Sequence, residues 1–174
     1  MRRILDGMYV ASGALAAFFI ALICLLVTTQ VMFNLLTKLG IGEVSLTIPS
    51  YADFAGFFLA MASFFALAYT LTRGGHIRVT LVTNVMPPRL RWVCEVLALF
   101  VAAATSLFAT YFMMKLVFES HEFGDLSPGI VAIPLWIPQT GVTLGLLILA
   151  IALIDLLIRT LMFFTPVLQE KKSL

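Results

Sequence analysis

The chain has 174 residues, of which 61 % are apolar and only 11 % are charged, with a formal net charge of +2. Typical globular domains are about half apolar and about a quarter charged, so an ordinary soluble domain is excluded because its interior cannot hide this much apolar surface. The sequence also lacks the clusters of Lys and Arg, interleaved with aromatic residues, that a nucleic-acid surface needs. We therefore expect the lipid bilayer, and no nucleic acid, to surround most of the chain.

Four apolar segments are long enough to cross a bilayer, whose core about 30 Å thick requires about 20 helical residues. The predicted spans cover residues 8–36, 52–72, 92–118 and 137–164 of a single domain, residues 1–174. The N-terminus resembles a secretory signal, but its uncharged stretch is about twice as long as a typical signal core. The sequence therefore predicts an uncleaved anchor and an all-α membrane protein with four transmembrane helices.

Lys and Arg residues in the connections predict the orientation, because short cytoplasmic loops carry an excess of them. With the N-terminus in the cytoplasm, nine of these residues fall on the inner side and two, Lys38 and Lys115, on the outer side. The inner residues are Arg2, Arg3, Arg73, Arg78, Arg89, Arg91, Arg159, Lys171 and Lys172. Both termini are therefore expected to be cytoplasmic.

Amphipathic aromatic residues fall at the predicted span ends, where their polar atoms can reach the headgroups. These residues are Tyr9, Tyr69 and Trp92 on the inner side, and Tyr51, Tyr111 and Trp136 on the outer side. Pro138 is compatible with the first turn of a helix, so the last helix is predicted to begin there.

Small residues recur at every fourth position in three spans, and such stripes let helix backbones approach closely in lipid. The stripes are Ala52, Gly56 and Ala60; Ala98, Ala102, Ser106 and Thr110; and Gly141 and Gly145. They indicate either packing within this chain or a docking face for another subunit.

Ionisable side chains deep in a span are the usual mark of an ion or proton pathway, and the centre of every predicted span lacks them. Asp53, Glu95 and Lys115 lie at span ends, and Asp155 is the deepest. Arg159 follows Asp155 by four residues, a spacing that brings both onto one helix face. We expect an ion pair there, either internal to this chain or part of a contact with another subunit.

No arrangement of residues indicates catalysis or a bound cofactor. His76 and His121 lie in predicted connections, so they cannot clamp a haem between spans. Cys24 and Cys94 belong to no C-x-x-C pair and are interpreted as small buried apolar residues. A Walker motif is also missing. We therefore expect a protein that is not an enzyme, with no catalytic, substrate-binding, cofactor or metal site.

The most distinctive segment is the inner connection that begins Arg73-Gly74-Gly75-His76-Ile77-Arg78-Val79. The glycines are expected to end the second helix, because Gly readily adopts a left-handed cap. Apolar residues then recur at helical spacing, namely Ile77, Leu81, Val82, Val85 and Met86. This pattern predicts a short amphipathic helix over residues 76–86 on the cytoplasmic membrane surface, between spans two and three.

This segment, followed by Pro87, Arg89 and Arg91, resembles the signature of the small membrane subunit of tripartite ATP-independent periplasmic (TRAP) transporters, the DctQ-like family. A later stretch, from Ser127-Pro128-Gly129-Ile130 to Ile133-Pro134-Leu135-Trp136, is similar as well, and the resemblance extends over nearly the whole chain. One difference is visible at the second span. The family often has a Trp and paired acids there, whereas this chain has Tyr51, Ala52 and a single Asp53.

The resemblance implies that the chain lies in a bacterial inner membrane and has two protein partners. A large membrane subunit would carry a small organic anion, such as a carboxylate, inward on a sodium or proton gradient, and a periplasmic binding protein would deliver it. The small subunit would brace the large one and help the binding protein to dock. Candidate partner or membrane contacts are Arg73, Gly74, Gly75, His76, Arg78, Arg89, Arg91, Asp53, Asp155 and Arg159.

Two other classes of protein compete with this interpretation. A self-sufficient small four-helix exporter, acting as a dimer, normally needs an acidic residue at mid-membrane depth, and the stretch 7–37 has none. A membrane enzyme or electron carrier would need the haem histidines or cysteine pairs that the sequence lacks.

Overall fold

The computed structural model describes residues 2–39, 47–74 and 87–163. It contains four helices: α1 (Arg2–Lys38), α2 (Tyr51–Thr72), α3 (Pro88–Phe123) and α4 (Trp136–Phe163). Each is long and apolar enough to cross a membrane, and the described residues form no strand apart from an isolated bridge between Leu126 and Pro134. The prediction of an all-helical chain with four candidate spans is confirmed.

Two of the helices are longer than a bilayer requires. Helix α1 has 37 residues and α3 has 36, or about 55 Å each, against a hydrocarbon core of about 30 Å. Helix α3 continues through His121, which the sequence assigned to a connection, and ends at Gly124 in a left-handed conformation with φ 66°. These helices therefore extend beyond the membrane core.

Helix α4 begins at Trp136, two residues before the predicted start at Pro138. The first four N–H groups of a helix have no acceptor within it, so a proline in the first turn loses no hydrogen bond. Pro138 is therefore compatible with a position inside the first turn, as well as at its beginning.

The helices pack side by side in the order α1, α2, α4, α3. Helix α1 runs antiparallel to α2, where Phe19 stacks on Phe58, and α3 runs antiparallel to α4, where the Trp92 indole meets Thr160. The two central helices, α2 and α4, are parallel. Helix α1 touches α4 only narrowly, and within the described residues α3 does not pack extensively on α1 or α2. The four described helices therefore form an open row, with two broad faces that no other described residue covers.

The row has two distinct ends. At the first, which we call the arginine end, α1 and α3 begin and α2 and α4 end, and it carries Arg3, Arg73, Arg89, Arg91 and Arg159. At the second, the hairpin end, α2 and α4 begin, and residues 124–135 connect α3 to α4.

Small residues of α4 are used for packing within the chain. A Cβ atom added to Gly145 would lie 2.8 Å from the carbonyl carbon of Phe64, and one added to Gly141 would lie 2.5 Å from the Met61 sulfur. On α3, Ser106 and Thr110 are buried, and the Ser106 hydroxyl donates to the Leu146 carbonyl oxygen at 3.4 Å. Other members of the stripes are exposed, namely Ala52, Gly56 and Ala98, and no atom of the described residues lies within 4 Å of a Cβ added to Gly56.

Two expectations about burial are wrong. Tyr9 was expected at the headgroups, but its side chain is 3 % exposed and packs with Ala68 and Ala152 where α1 meets α2 and α4. Cys24 and Cys94 were expected to be buried, but both are free thiols on exposed helix faces. The open row explains the cysteines, because it leaves much of α1 and α3 to be covered by lipid or by another subunit.

Candidate functional site

The connection between α3 and α4 is a compact hairpin held by its own hydrogen bonds. The Ser127 N–H donates to the Ile133 carbonyl oxygen at 2.8 Å, and the Leu135 N–H donates to the Asp125 carbonyl oxygen at 3.0 Å. The buried Ser127 hydroxyl accepts from the Ile133 N–H at 3.0 Å. The stretch that carries the second part of the sequence resemblance is therefore an ordered element.

This hairpin rests on the first turn of α2. Ser50, the residue before the helix, has a left-handed backbone with φ 56°, which is uncommon for a residue other than glycine. Its hydroxyl makes no capping bond to its own helix and accepts instead from the Val131 N–H at 2.9 Å. A Cβ added to Gly129 would overlap the Asp53 carboxylate and would lie 2.6 Å from the Ser50 hydroxyl oxygen. We call Ser50, Asp53, Gly129 and Val131 the hairpin clamp.

The clamp joins two features that the sequence indicated separately. Asp53 was a candidate contact and the stretch containing Gly129 was part of the sequence resemblance, but nothing in the sequence related one to the other. Ser50 and Val131 were not predicted at all, and they are 81 residues apart. A serine directly before an apolar helix is a signal for a helix cap, not for a long-range contact.

Among the described residues, the hairpin end presents a surface of exposed side chains. Ile130 at the hairpin tip is 88 % exposed. Three acidic residues that are also exposed, Glu119, Glu122 and Asp125, lie at the end of α3 and the start of the hairpin. Asp53 lies in the first turn of α2, where the helix dipole favours a negative charge. This arrangement can hold two helix ends in a fixed geometry and present a mixed apolar and acidic surface.

At the arginine end, Asp155 and Arg159 form an ion pair within α4. The Arg159 Nε donates to Asp155 Oδ1 at 3.0 Å, and the Nη2 contacts Oδ2, so the contact is bidentate. About a fifth of each side chain is exposed. The pair lies close enough to the buried Tyr9 hydroxyl to act on it electrostatically, and among the described residues that hydroxyl has no hydrogen-bond partner.

Replacing either member of this pair by alanine is expected to lower the thermal stability of the purified protein more than replacing both. A single change leaves one charge unmatched in a poorly solvated place, whereas the double change removes both. Because the pair is partly exposed, each single loss should be smaller than the ~3–5 kcal/mol that is typical of a fully buried pair. Thermal unfolding of the four matched proteins would measure this, and additive losses would mean that each side chain has its own partner.

The remaining candidates at this end surround the start and end of the inner connection. Arg73 lies 5.4 Å from the centre of the Tyr69 ring, and Gly74, with φ 72°, is the left-handed residue that follows α2. Arg89 is exposed and Arg91 is half-buried in the first turn of α3. Gly75, His76, Arg78 and the predicted surface helix 76–86 lie outside the described residues.

Sequence reasoning missed one link at this end. The Trp92 indole N–H donates to the Thr160 carbonyl oxygen at 2.9 Å and so ties the beginning of α3 to the end of α4. The sequence suggested only that Trp92 lies at headgroup depth.

Comparison with known proteins gives one match. The family model described as "Tripartite ATP-independent periplasmic transporters, DctQ component" matches residues 23–162. That range begins within α1 and includes the hairpin clamp and the Asp155–Arg159 pair. No curated protein and no solved structure matches the chain.

Proposed function

We propose a scaffold role for this chain, which belongs to the DctQ family, the small membrane component of the TRAP transporters. In this proposal it supports a large membrane subunit that carries a small organic anion, such as a carboxylate, inward on a sodium or proton gradient. A periplasmic binding protein delivers the anion to the pair of membrane subunits. The chain itself neither binds the anion nor catalyses a reaction.

The open row of helices is the observation that best supports a scaffold role. Secondary transporters commonly bind their substrate at mid-membrane depth, with broken helices or ionisable side chains. Here the four helices are continuous, and their charged residues lie toward the helix ends. An uninterrupted apolar row with two uncovered faces is suited to packing against another membrane protein.

The orientation that we propose puts the arginine end in the cytoplasm of a bacterial cell and the hairpin end in the periplasm. Six arginines of the described residues lie at the first end, since Arg2 begins α1, while Lys38 and Lys115 lie toward the second. This distribution is typical of the positive-inside rule. The hairpin would then face the binding protein, and the segment 76–86 would lie along the cytoplasmic surface of the inner membrane as an amphipathic helix.

The chain alone is expected to give no transport. Liposomes that contain only this chain, supplied with the binding protein, a candidate carboxylate and an ion gradient, should show no more uptake than empty liposomes. Liposomes that also contain the large subunit should show gradient-driven uptake. In a separate experiment, purification through an affinity tag on the large subunit should recover this chain in stoichiometric amount. Uptake by the chain alone would contradict the scaffold role.

Reporter fusions are expected to report the proposed orientation. A reporter that is active only in the periplasm should work when fused after Glu122, while fusions after Asn84 and Lys172 should report the cytoplasm, because of the nine-to-two distribution of Lys and Arg. Matched fluorescent fusions, which fold only in the cytoplasm, provide the reciprocal control. A periplasmic signal from the Asn84 fusion would invert the orientation.

A further inference from the structure

A groove lies between α3 and α4 at the arginine end of the row. Its volume is about 290 Å³, and every side chain that lines it is aliphatic or aromatic. Val93, Leu97 and Phe100 form one wall, and Leu157 and Leu161 form the other. A ligand of this groove must therefore contribute an apolar chain.

The positively charged Arg89 lies next to the groove, at the arginine end of the row. A second cavity, of about 640 Å³, is lined by Arg89 and its neighbours and shares Val93 with the groove. Arg89 is exposed, and within the described residues it forms no ion pair or hydrogen bond. At 100° per residue, Arg89, Val93, Leu97 and Phe100 lie on one face of α3, whereas Arg91 lies on the opposite face. The groove therefore continues from a positive charge, which is unpaired among the described residues, along a purely apolar surface.

The dimensions of the groove fit one lipid chain. From Arg89 to Phe100 the helix rises by about 16 Å, which is roughly half of the ~30 Å hydrocarbon core and thus the depth of one leaflet. A helix about 10 Å across would occupy roughly 1,200 Å³ over the same length, far more than the groove offers. An alkyl chain is narrow enough to enter, and the groove opens sideways to the bilayer.

We propose that this groove binds one anionic phospholipid, with its acyl chain between α3 and α4 and its phosphate on Arg89. The apolar walls recognise the chain by burial, and the guanidinium recognises the phosphate by a charge-assisted hydrogen bond. Anionic lipids concentrate at basic sites on the cytoplasmic side of membrane proteins, which is where the proposed orientation puts Arg89. The acyl chain would fill the groove between α3 and α4, and the hydrogen bond from Trp92 to Thr160 joins the two helices at the arginine end of this groove.

Native mass spectrometry of the purified complex, formed by this chain and its large subunit, would test the proposal. Delipidated complex is titrated with phosphatidylglycerol or with zwitterionic phosphatidylcholine. We expect the unchanged complex to retain one phosphatidylglycerol in preference to phosphatidylcholine. Arg89→Gln should weaken phosphatidylglycerol binding about fivefold, since one arginine near an anionic headgroup contributes that much. It should weaken phosphatidylcholine binding less, because the choline cation offsets the charge of that lipid's phosphate. Leu97→Trp should fill the groove and reduce the binding of both lipids.

Two matched variants serve as controls. Arg91→Gln removes the same charge from the opposite face of α3, and Val101→Trp adds the same bulk to an exposed position outside the groove. Both should bind lipid like the unchanged complex. Equal loss in Arg89→Gln and Arg91→Gln, or unaltered binding in Leu97→Trp, would overturn the proposal.

A photoreactive residue at position 97 in an otherwise unchanged complex separates the two possible occupants of the groove. Cross-linking to phosphatidylglycerol in vesicles that contain it would support the lipid. Cross-linking to the large subunit would assign the groove to a protein contact and overturn the lipid site, without affecting the scaffold role.

Discussion

Gly145→Ala is expected to separate α2 from α4 and to destabilise the whole row. The added methyl group would lie 2.8 Å from both the carbonyl carbon and the Cβ of Phe64, and 3.0 Å from its carbonyl oxygen. Because these are mostly backbone atoms, no side chain can rotate away, and one helix must move. Overpacking of this kind typically costs about 1–3 kcal/mol. The apparent Tm of the purified complex should therefore fall, together with the yield of assembled complex.

Gly56→Ala is the matched control for this change. Gly56 is also a glycine within α2, but in the part of the chain that the structure describes nothing lies within 4 Å of an added Cβ. Alanine favours the helix over glycine by about 1 kcal/mol, so the Tm of this variant on its own should stay the same or rise. The preference of alanine for the helix also acts at position 145, where it raises stability, so a fall in the Tm of Gly145→Ala must come from the contact with Phe64.

Equal effects on the Tm at the two positions would show that α2 and α4 are less closely packed at Gly145 than these distances imply. A fall for Gly56→Ala that appears only in the assembled complex would show that the large subunit packs against this face of α2.

Gly129→Ala is expected to release the hairpin from α2. The new methyl group would meet the Asp53 carboxylate and the Ser50 hydroxyl oxygen, and either the hairpin or the first turn of α2 must shift. We expect a loss of about 1–3 kcal/mol in stability and faster proteolysis within residues 124–135. The Val131 N–H would also lose its acceptor at Ser50. If the hairpin faces the binding protein as proposed, uptake by the complete transporter should fall as well.

The Asp53→Ala variant makes this prediction specific to the clamp. Removing the carboxylate frees part of the space that the added methyl group needs, so the double variant should lose less stability than the sum of the two single losses. The rescue should be partial, because the Ser50 hydroxyl still lies 2.6 Å from the added Cβ. Strict additivity of the two losses would show that Asp53 and Gly129 act independently. As a control for glycine elsewhere, Gly7→Ala adds a methyl group where nothing lies within 4 Å and should leave the hairpin protected.

The membrane class, the four helices and the charge pattern could be predicted from the sequence because they depend on local composition. About 20 apolar residues must be helical to cross lipid, since each backbone N–H and C=O needs a partner inside the segment. The contact of Asp155 with Arg159 is also local, because residues four apart are neighbours on the surface of a helix. The left-handed Gly74 after α2 is likewise a property of a short stretch.

The way in which the helices meet was decided only by the tertiary structure. In lipid every face of a spanning helix can be apolar, so hydrophobic periodicity does not reveal which face packs and which faces the bilayer. For this reason the sequence could not separate Gly145, which packs on Phe64, from Gly56, which faces outward. It also placed Tyr9 among the headgroups, although the side chain is buried where three helices meet.

The sequence by itself determined what kind of protein this is: four apolar spans, charges confined to their ends, and the motifs that resemble a transporter subunit. The tertiary structure alone decided the order α1, α2, α4, α3, the clamp between Ser50 and Val131, and the groove beside Arg89. The physical reason is that spans and caps arise from interactions within about one turn of a helix. The row, the clamp and the groove depend on contacts between segments far apart in the sequence, such as Ser50 and Val131 at 81 residues and Ser106 and Leu146 at 40. No local pattern encodes those contacts.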